Sequence, residues 1–330
     1  MNENKPLLQV EDLCVDFATR KGALRVLDHV GLHVNQGESL GIVGESGCGK
    51  SMTALAIMRL VPAPSGQITK GRIRLRGLNL LELSEKRMQN VRGNDISMIF
   101  QEPMTSLNPV FTIGMQIAES IERHQNASRA EALDKAAEIL AAVQIPEAAQ
   151  RLRQYPHELS GGMRQRVMIA MALSCQPSVL IADEPTTALD VTVQAQIFDL
   201  LLDIQNRMGT AIILITHDMG VIAETTDQVV VMYAGRKVEE GPVREIITSP
   251  RHPYTQGLLK CIPDLKADPG PDREELTEIP GIVPDLSLLD AGCSFRPRCP
   301  YSATRCREKK PPDFEVGENH RAACWLVEAV

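Results

Sequence analysis

One stretch limits the possible folds of this chain more than any other: ESLGIVGESGCGKSMTALAIMRLV, residues 38–61. It joins an apolar run, a glycine-rich turn and a segment with helical apolar spacing that stops before Pro62. Residues Gly44 to Ser51 satisfy G-x-x-x-x-G-K-[ST] at every position, in the strand-loop-helix context that this motif needs. Glycines let successive backbone N–H groups curl around phosphate oxygens, and a helix N-terminus adds its positive dipole end. Gly44, Glu45, Ser46, Gly47, Cys48, Gly49, Lys50, Ser51 and Met52 are therefore the nucleotide-contacting candidates. Lys50 is expected to reach the β- and γ-phosphates, and the Ser51 hydroxyl to ligate Mg²⁺. Cys48, at a helix N-terminus beside Lys50, is expected to have a lowered pKa and to be readily alkylated unless MgATP protects it.

The rest of the chain surrounds this loop with an α/β pattern. LLQVEDLCVDF (7–17), LRVLDHVGLHV (24–34) and the alternating GRIRLRG (71–77) read as strands, the last as part of an antiparallel hairpin. ISMIF (96–100) reads as a short buried strand. From about 112 to 173 the pattern is helical, with RAEALDKAAEILAAVQI and MRQRVMIAMALSC as its clearest members. SVLIAD (178–183) and AIILIT (211–216) are continuous apolar runs, as strands of a parallel sheet covered on both faces should be. The helical stretch between them completes a β-α-β unit. VVVMYAGRKVEEG (229–241) reads as a hairpin turning at Ala234-Gly235, and after about Pro250 proline and turn residues take over.

With 330 residues, 43% apolar and 23% charged, the chain can bury a full core. A net charge of -7 argues against nucleic acid as the main partner, since a phosphate backbone calls for a basic face. The start, MNENKPLLQVED, lacks the apolar stretch of a signal peptide, and no apolar run is long enough to span a bilayer. Eight cysteines in such a chain point to reduced thiols or a metal site rather than disulfides.

Two further clusters carry chemistry. Asp183-Glu184 ends a buried strand, where adjacent side chains point to different sides. Asp183 is assigned to Mg²⁺ and Glu184 to general base. In LSGGMRQR (159–166), Ser160 can cap a helix while Gly161 and Gly162 expose backbone N–H groups. Since the first loop already holds the phosphates, this second anion-binding helix end is expected to serve another subunit's nucleotide.

Cys293, Cys299, Cys306 and Cys324 are spaced C-x5-C-x6-C-x17-C. Four thiols in a reducing compartment point to a metal centre. Zinc is one candidate, although the usual C-x-x-C knuckles are absent. An iron–sulfur cluster is the other, with Arg296, Arg298, Arg305 and Arg307 expected to offset its charge.

In order along residues 6–250, these stretches resemble the ATP-binding subunits of ABC transporters. GESGCGKS matches Walker A, Gln101 the Q-loop, LSGGM the signature, VLIADE Walker B, TALD (187–190) the D-loop and His217 the H-loop, while Phe17 sits where an aromatic residue stacks on adenine. The signature carries Met163 where Gln is commonest. QEPMTSLNP, YPHELSGG, RHPYTQGLL and the cysteine tail resemble more narrowly the oligopeptide/dipeptide importer branch, which also includes nickel and glutathione importers.

The resemblance implies a P-loop NTPase core with a mostly parallel sheet, an antiparallel β subdomain, an α-helical signature subdomain at about 112–173 and a small Cys-rich C-terminal domain. The ATP-binding domain would occupy 1–255 and the extension 256–330. It implies ATP and Mg²⁺ as cofactors, the latter held by Ser51, Gln101 and Asp183, and catalysis by Glu184, His217, Gln101 and Lys50. It further implies a [4Fe–4S] cluster on the four tail cysteines, structural or redox-sensing. The implied partners are a second ATPase subunit, paralogous and paired head to tail, two transmembrane permeases and an extracytoplasmic solute-binding protein, with this chain at the cytoplasmic face of a bacterial inner membrane. A soluble ABC ATPase acting on nucleic acid or ribosomes is the competing class. A single cassette, the acidic charge and the lack of sustained heptads argue against it.

Overall fold

The computed structural model describes residues 5–101, 106–186, 189–261 and 278–328. The chain divides into two compact units that interleave in sequence. One comprises Met1–Leu8, His33–Ser39 and Arg74–Ile215, and the other Gln9–Leu32, Leu40–Ile73 and Thr216–Val330. In chain order the strands are β1 (Leu8–Thr19), β2 (Gly22–Val34), β3 (Ser39–Val43), β4 (Gly66–Leu75), β5 (Leu78–Asn79), β6 (Ile96–Ile99), β7 (Val179–Asp183), β8 (Ala211–Ile215), β9 (Gln228–Tyr233), β10 (Arg236–Pro242), β11 (Phe314–Gly317) and β12 (His320–Ala322). The helices are α1 (Lys50–Ile57), α2 (Glu85–Val91), α3 (Ile113–Gln125), α4 (Arg129–Ala142), α5 (Ala148–Arg151), α6 (Gly161–Leu173), α7 (Val191–Met208), α8 (Met219–Thr225), α9 (Val243–Thr248), α10 (Pro253–Lys260) and α11 (Thr304–Glu308).

The first unit is built on the parallel trio β6-β7-β8, in register Ile96↔Val179 and Val179↔Ala211. Every residue of these strands is buried, which explains their continuous apolar sequences. Helices α3, α4 and α6 pack on one another, and α6 packs on β6. Each begins at a side-chain cap: Thr112 for α3, Ser128 for α4 and Ser160 for α6. At α4 the cap is a full capping box. The Ser128 backbone N–H donates to Glu131 Oε2 at 2.8 Å, and Ser128 Oγ accepts from the Glu131 N–H at 3.4 Å. Helix α6 is buried almost all round, and its Arg166 is satisfied inside by Val143 O at 2.9 Å and Gln196 Oε1 at 3.0 Å. The short β4–β5 pairing, Arg74↔Asn79, is antiparallel as the alternation of GRIRLRG implies.

In the second unit β3 runs parallel to β9, Leu40↔Gln228 through Val43↔Val231. Strands β9 and β10 form the expected hairpin, with Ala234 and Gly235 both at positive φ, 47° and 79°. The chain beyond residue 250 belongs to this same unit. Its strand β12 pairs antiparallel with β10, Glu239↔Ala322, and β11 pairs with β12. Buried Glu239 ties the tail down by accepting from the Arg251 N–H at 2.6 Å, the His252 N–H at 3.0 Å and His320 Nε2 at 2.8 Å. Tyr233, Tyr254 and Phe295 form a buried aromatic cluster, with ring centroids 4.7 to 5.4 Å apart. Among the described residues no helix is long and apolar enough to cross a membrane.

Candidate functional site

The phosphate-loop candidates lie in the second unit. Strand β3 delivers the chain to Gly44, whose φ of 150° is open to glycine. A Cβ there would overlap the Met232 carbonyl oxygen and come within 2.7 Å of Cys48 Sγ. Gly49 caps α1 in a left-handed conformation, and Lys50 is the first helical residue. Lys50 is buried, and its Nζ donates to Gly44 O at 2.7 Å and Glu45 O at 3.2 Å, so the loop's own carbonyls hold the ammonium. Ser51 and Met52 follow on the first turn of α1.

Cys48 corrects an expectation. Its side chain is fully buried, and burial pushes its thiol pKa up, outweighing the pull of nearby Lys50. A helix N-terminus lowers a thiol's pKa only where the thiolate can be solvated or paired. This one packs against Gly44, out of contact with solvent.

Glu45 is held on every side. Its carboxylate takes Arg298 Nη1 at 2.7 Å and Nη2 at 3.0 Å, its N–H donates to Tyr254 Oη at 2.8 Å, and its carbonyl accepts from Lys50. Sequence reading assigned Arg298 to the charge of a tail cluster and passed over Tyr254. The available signal was the acidic residue itself, because a carboxylate inside an anion-binding loop calls for a cation.

In the same unit, Phe17 is half-buried on β1, its ring over Gly66. His217 is exposed just before α8, whose N-cap Asp218 accepts from the Gly220 N–H at 2.7 Å and the Val221 N–H at 3.3 Å.

The first unit holds the other candidates. Asp183 is buried at the last position of β7. Glu184 follows at a φ of 44° and is fixed by its N–H to Ile215 O at 2.9 Å. Its Oε2 accepts from Gln101 Nε2 at 2.8 Å, so the structure brings together two residues 83 apart in sequence. Ser160 and Gly161 are exposed at the start of α6, and Ser160 Oγ accepts from the Met163 N–H at 3.3 Å. Arg164 Nε braces the turn through Pro156 O and Leu159 O, each at 3.0 Å. A Cβ on Gly162 would press on Val193 of α7 at 3.1 Å, so the second signature glycine is also needed for packing. Thr187 and Ala188 of TALD and residues 102–105 of QEPMTSLNP lie outside the described residues. Asp190 caps α7 through the Val193 N–H at 2.9 Å.

The four tail cysteines line one cavity of ≈ 200 Å³ together with His252, Phe295 and Trp325. The Cys293 N–H donates to Cys306 O at 2.8 Å, which closes the loop between them. Burial raises the thiol pKa of Cys293, Cys299 and Cys324, the last to about 11. A single zinc ion with bonds of about 2.3 Å would draw four thiolates to within about 4 Å of one another. Among the described residues, only Cys14, Asp28 and His29 form a group of three with all ligand atoms within 4.8 Å, so no three of the tail thiols are mutually that close. Cys14, Asp28 and His29 are poorly suited to a cation, since Asp28 already takes Lys310 Nζ at 2.7 Å and Arg236 Nη1 at 3.0 Å.

The four arginines do not act together on the thiols. Arg296 and Arg305 line the cavity but pair with Asp290 and Glu328, and Arg305 also lies over the Trp325 ring at 3.7 Å. Arg298 turns to Glu45, and Arg307 is exposed and does not line the cavity.

Comparison with known proteins agrees with these features. The ABC transporter family model matches residues 27–187, and that of the oligopeptide/dipeptide transporter C-terminal region matches 238–306. A probable peptide ABC transporter ATP-binding protein of Sinorhizobium fredii (strain NBRC 101917 / NGR234) is 55% identical over 97% of this chain and 94% of its own length. The dipeptide transport ATP-binding protein DppD of Escherichia coli (strain K12) is 46% identical over 96% of each chain. Among solved structures, the dimeric ATP-binding cassette MJ0796 in a post-hydrolysis state with ADP and Pi is 26% identical, with a TM-score of 0.64 over 72% of this chain and 99% of that one. Carrying the phosphate loop, the signature turn and the Gln101–Glu184 pair within such a sequence, the chain belongs to the ATP-binding proteins of the oligopeptide/dipeptide branch of ABC transporters.

Proposed function

We propose that this protein is the ATP-hydrolysing motor subunit of a membrane importer for dipeptides or oligopeptides. The observation that carries the reading is Lys50 Nζ seated on the Gly44 and Glu45 carbonyls, in a chain alike over nearly its whole length to peptide-transport ATP-binding proteins. The loop N–H groups from Gly44 to Met52 and the Lys50 ammonium would hold the phosphates, and Phe17 the adenine. Ser51, Gln101 and Asp183 would hold Mg²⁺, which supplies charge neutralisation on the phosphates. Glu184 would take the proton of the attacking water, oriented by Gln101, with His217 on the γ-phosphate side. Ser160, Gly161 and Gly162 would serve the nucleotide of a second ATPase subunit, a paralogue paired head to tail. Two permeases and an extracytoplasmic binding protein would complete the importer, with this chain peripheral on the cytoplasmic face of a bacterial inner membrane. Its ATP-binding domain would occupy 1–255 and the extension 256–330.

The assignment is tested by co-purifying the chain with its membrane partners and measuring uptake of labelled di- and tripeptides, nickel and glutathione by the assembled system. ATP-dependent peptide uptake is expected. Uptake of nickel or glutathione alone would move the protein to a sister system, and co-purification with ribosomes would remove it from transport.

We further propose that Cys293, Cys299, Cys306 and Cys324 hold a [4Fe–4S] cluster in preference to zinc. The reading is supported by four cysteines that line one cavity, in a tail that resembles that of the oligopeptide/dipeptide importer branch. Bound there, the cluster would supply a redox-active centre and fasten the tail. Anaerobically purified protein is expected to be brown, to absorb near about 400 nm and to contain about four irons per chain. A colourless preparation with one zinc per chain would overturn it.

A further inference from the structure

The phosphate loop carries a carboxylate, Glu45, among groups arranged to bind a polyanion. Left free, that charge would repel a triphosphate, most strongly where water is excluded. In the structure it is not free. Arg298 takes it with a two-pronged grip, and the arginine is itself fixed from behind by Nε to Pro280 O at 2.9 Å and Nη2 to Ile279 O at 3.0 Å. Its side chain is only 4% exposed. Tyr254 Oη accepts the Glu45 N–H, and the Tyr254 ring is locked between Tyr233 and Phe295. The Glu45 peptide that these two residues hold also offers its carbonyl to Lys50. All of these residues lie in one compact unit.

We propose that Arg298 and Tyr254 are positioning residues for the nucleotide: the C-terminal segment neutralises Glu45 and holds the phosphate loop in its binding shape. The proposal rests on the reading of Gly44–Ser51 as the ATP site. Two physical consequences follow. A loop fixed before binding loses less freedom when ATP arrives. A planar guanidinium matches a carboxylate in a way that a lysine ammonium cannot. The extension is therefore part of the nucleotide site of its own chain, not an appendage to it.

The test is a double-mutant cycle on the full-length protein, with MgATP affinity read by titration calorimetry and folding by circular dichroism and thermal melting. Wild-type binding of MgATP checks the underlying reading by itself, and its absence would sink that reading before the clamp is tested. Arg298→Ala is expected to weaken binding about tenfold, as loss of hydrogen bonds to a charged group does. Arg298→Lys should fall in between, keeping the charge without the fork. Adding Glu45→Gln to Arg298→Ala should recover most of the loss, because the exposed carboxylate is then gone. A purely structural Arg298 would show no such recovery, since removing Glu45 cannot restore a fold. The proposal is overturned if Arg298→Ala binds MgATP as the wild type does, or if the double variant binds no better than the single one. Should Arg298→Ala fail to fold, Arg298→Lys with and without Glu45→Gln gives the same comparison, and equal affinities in that pair would overturn the proposal.

Discussion

Glu184 follows a buried strand end at a left-handed φ, with its carboxylate on Gln101 and its N–H on Ile215, so its position is set before any substrate arrives. Replacing it by glutamine preserves the shape and the Gln101 contact but removes the carboxylate proposed as the base. Glu184→Gln in the assembled transporter is expected to bind MgATP with near-normal affinity and to hydrolyse it roughly 10²–10⁴ times more slowly. Steady-state phosphate release checks this, and near-normal turnover would remove Glu184 from the role. Cys48 leads to the opposite of its sequence expectation. Full burial and a raised thiol pKa predict slow alkylation with or without MgATP. Mass spectrometry of the alkylated loop peptide checks this, and fast labelling of the folded apo protein would contradict it.

Among elements, Asp28 joins three parts of the second unit. It lies on β2 and binds Arg236 of β10 and Lys310 of the tail, with Arg25 Nη1 3.6 Å and His29 Nε2 3.7 Å away. Burial alone would raise its pKa, but Lys310 and Arg236 outweigh burial and hold it below the ordinary 3.8. Since the folded value is the lower one, the stabilisation is fully present above the unfolded pKa and disappears as pH falls through the folded value. Asp28→Asn is therefore expected to melt below wild type at neutral pH, with the gap closing as pH falls below the ordinary 3.8 and through the lowered folded value. Melting curves across pH check this, and a gap independent of pH would show that the ion pairs contribute nothing. The strands β6, β7, β8 and β9 were legible in sequence because each is a short apolar run with polar ends. Strands β11 and β12 were not, because three or four residues beside prolines carry no period. They exist because β10 offers them an edge.

At the scale of the molecule, the tail and the phosphate loop share one unit, and Cys299 directly follows the arginine that grips Glu45. Cys299→Ser is accordingly expected to weaken MgATP binding although every loop residue is intact. Calorimetry on the full-length variant measures this, and affinity equal to wild type would show that the thiol cavity and the loop act independently.

Residues close in sequence settled the local chemistry. GESGCGKS is legible as a phosphate-loop candidate because its glycines and the helix that follows are contiguous in sequence. Likewise, buried parallel strands announce themselves because both faces must be apolar. Tertiary structure alone decided the rest. Arg298 meets Glu45 across 253 residues, and Gln101 meets Glu184 across 83. No periodicity encodes such pairs, because each is chosen by where the folded backbone brings two charged or polar ends into reach. The same holds for Cys48, whose loop position argued for reactivity while the folded chain buries it fully against Gly44.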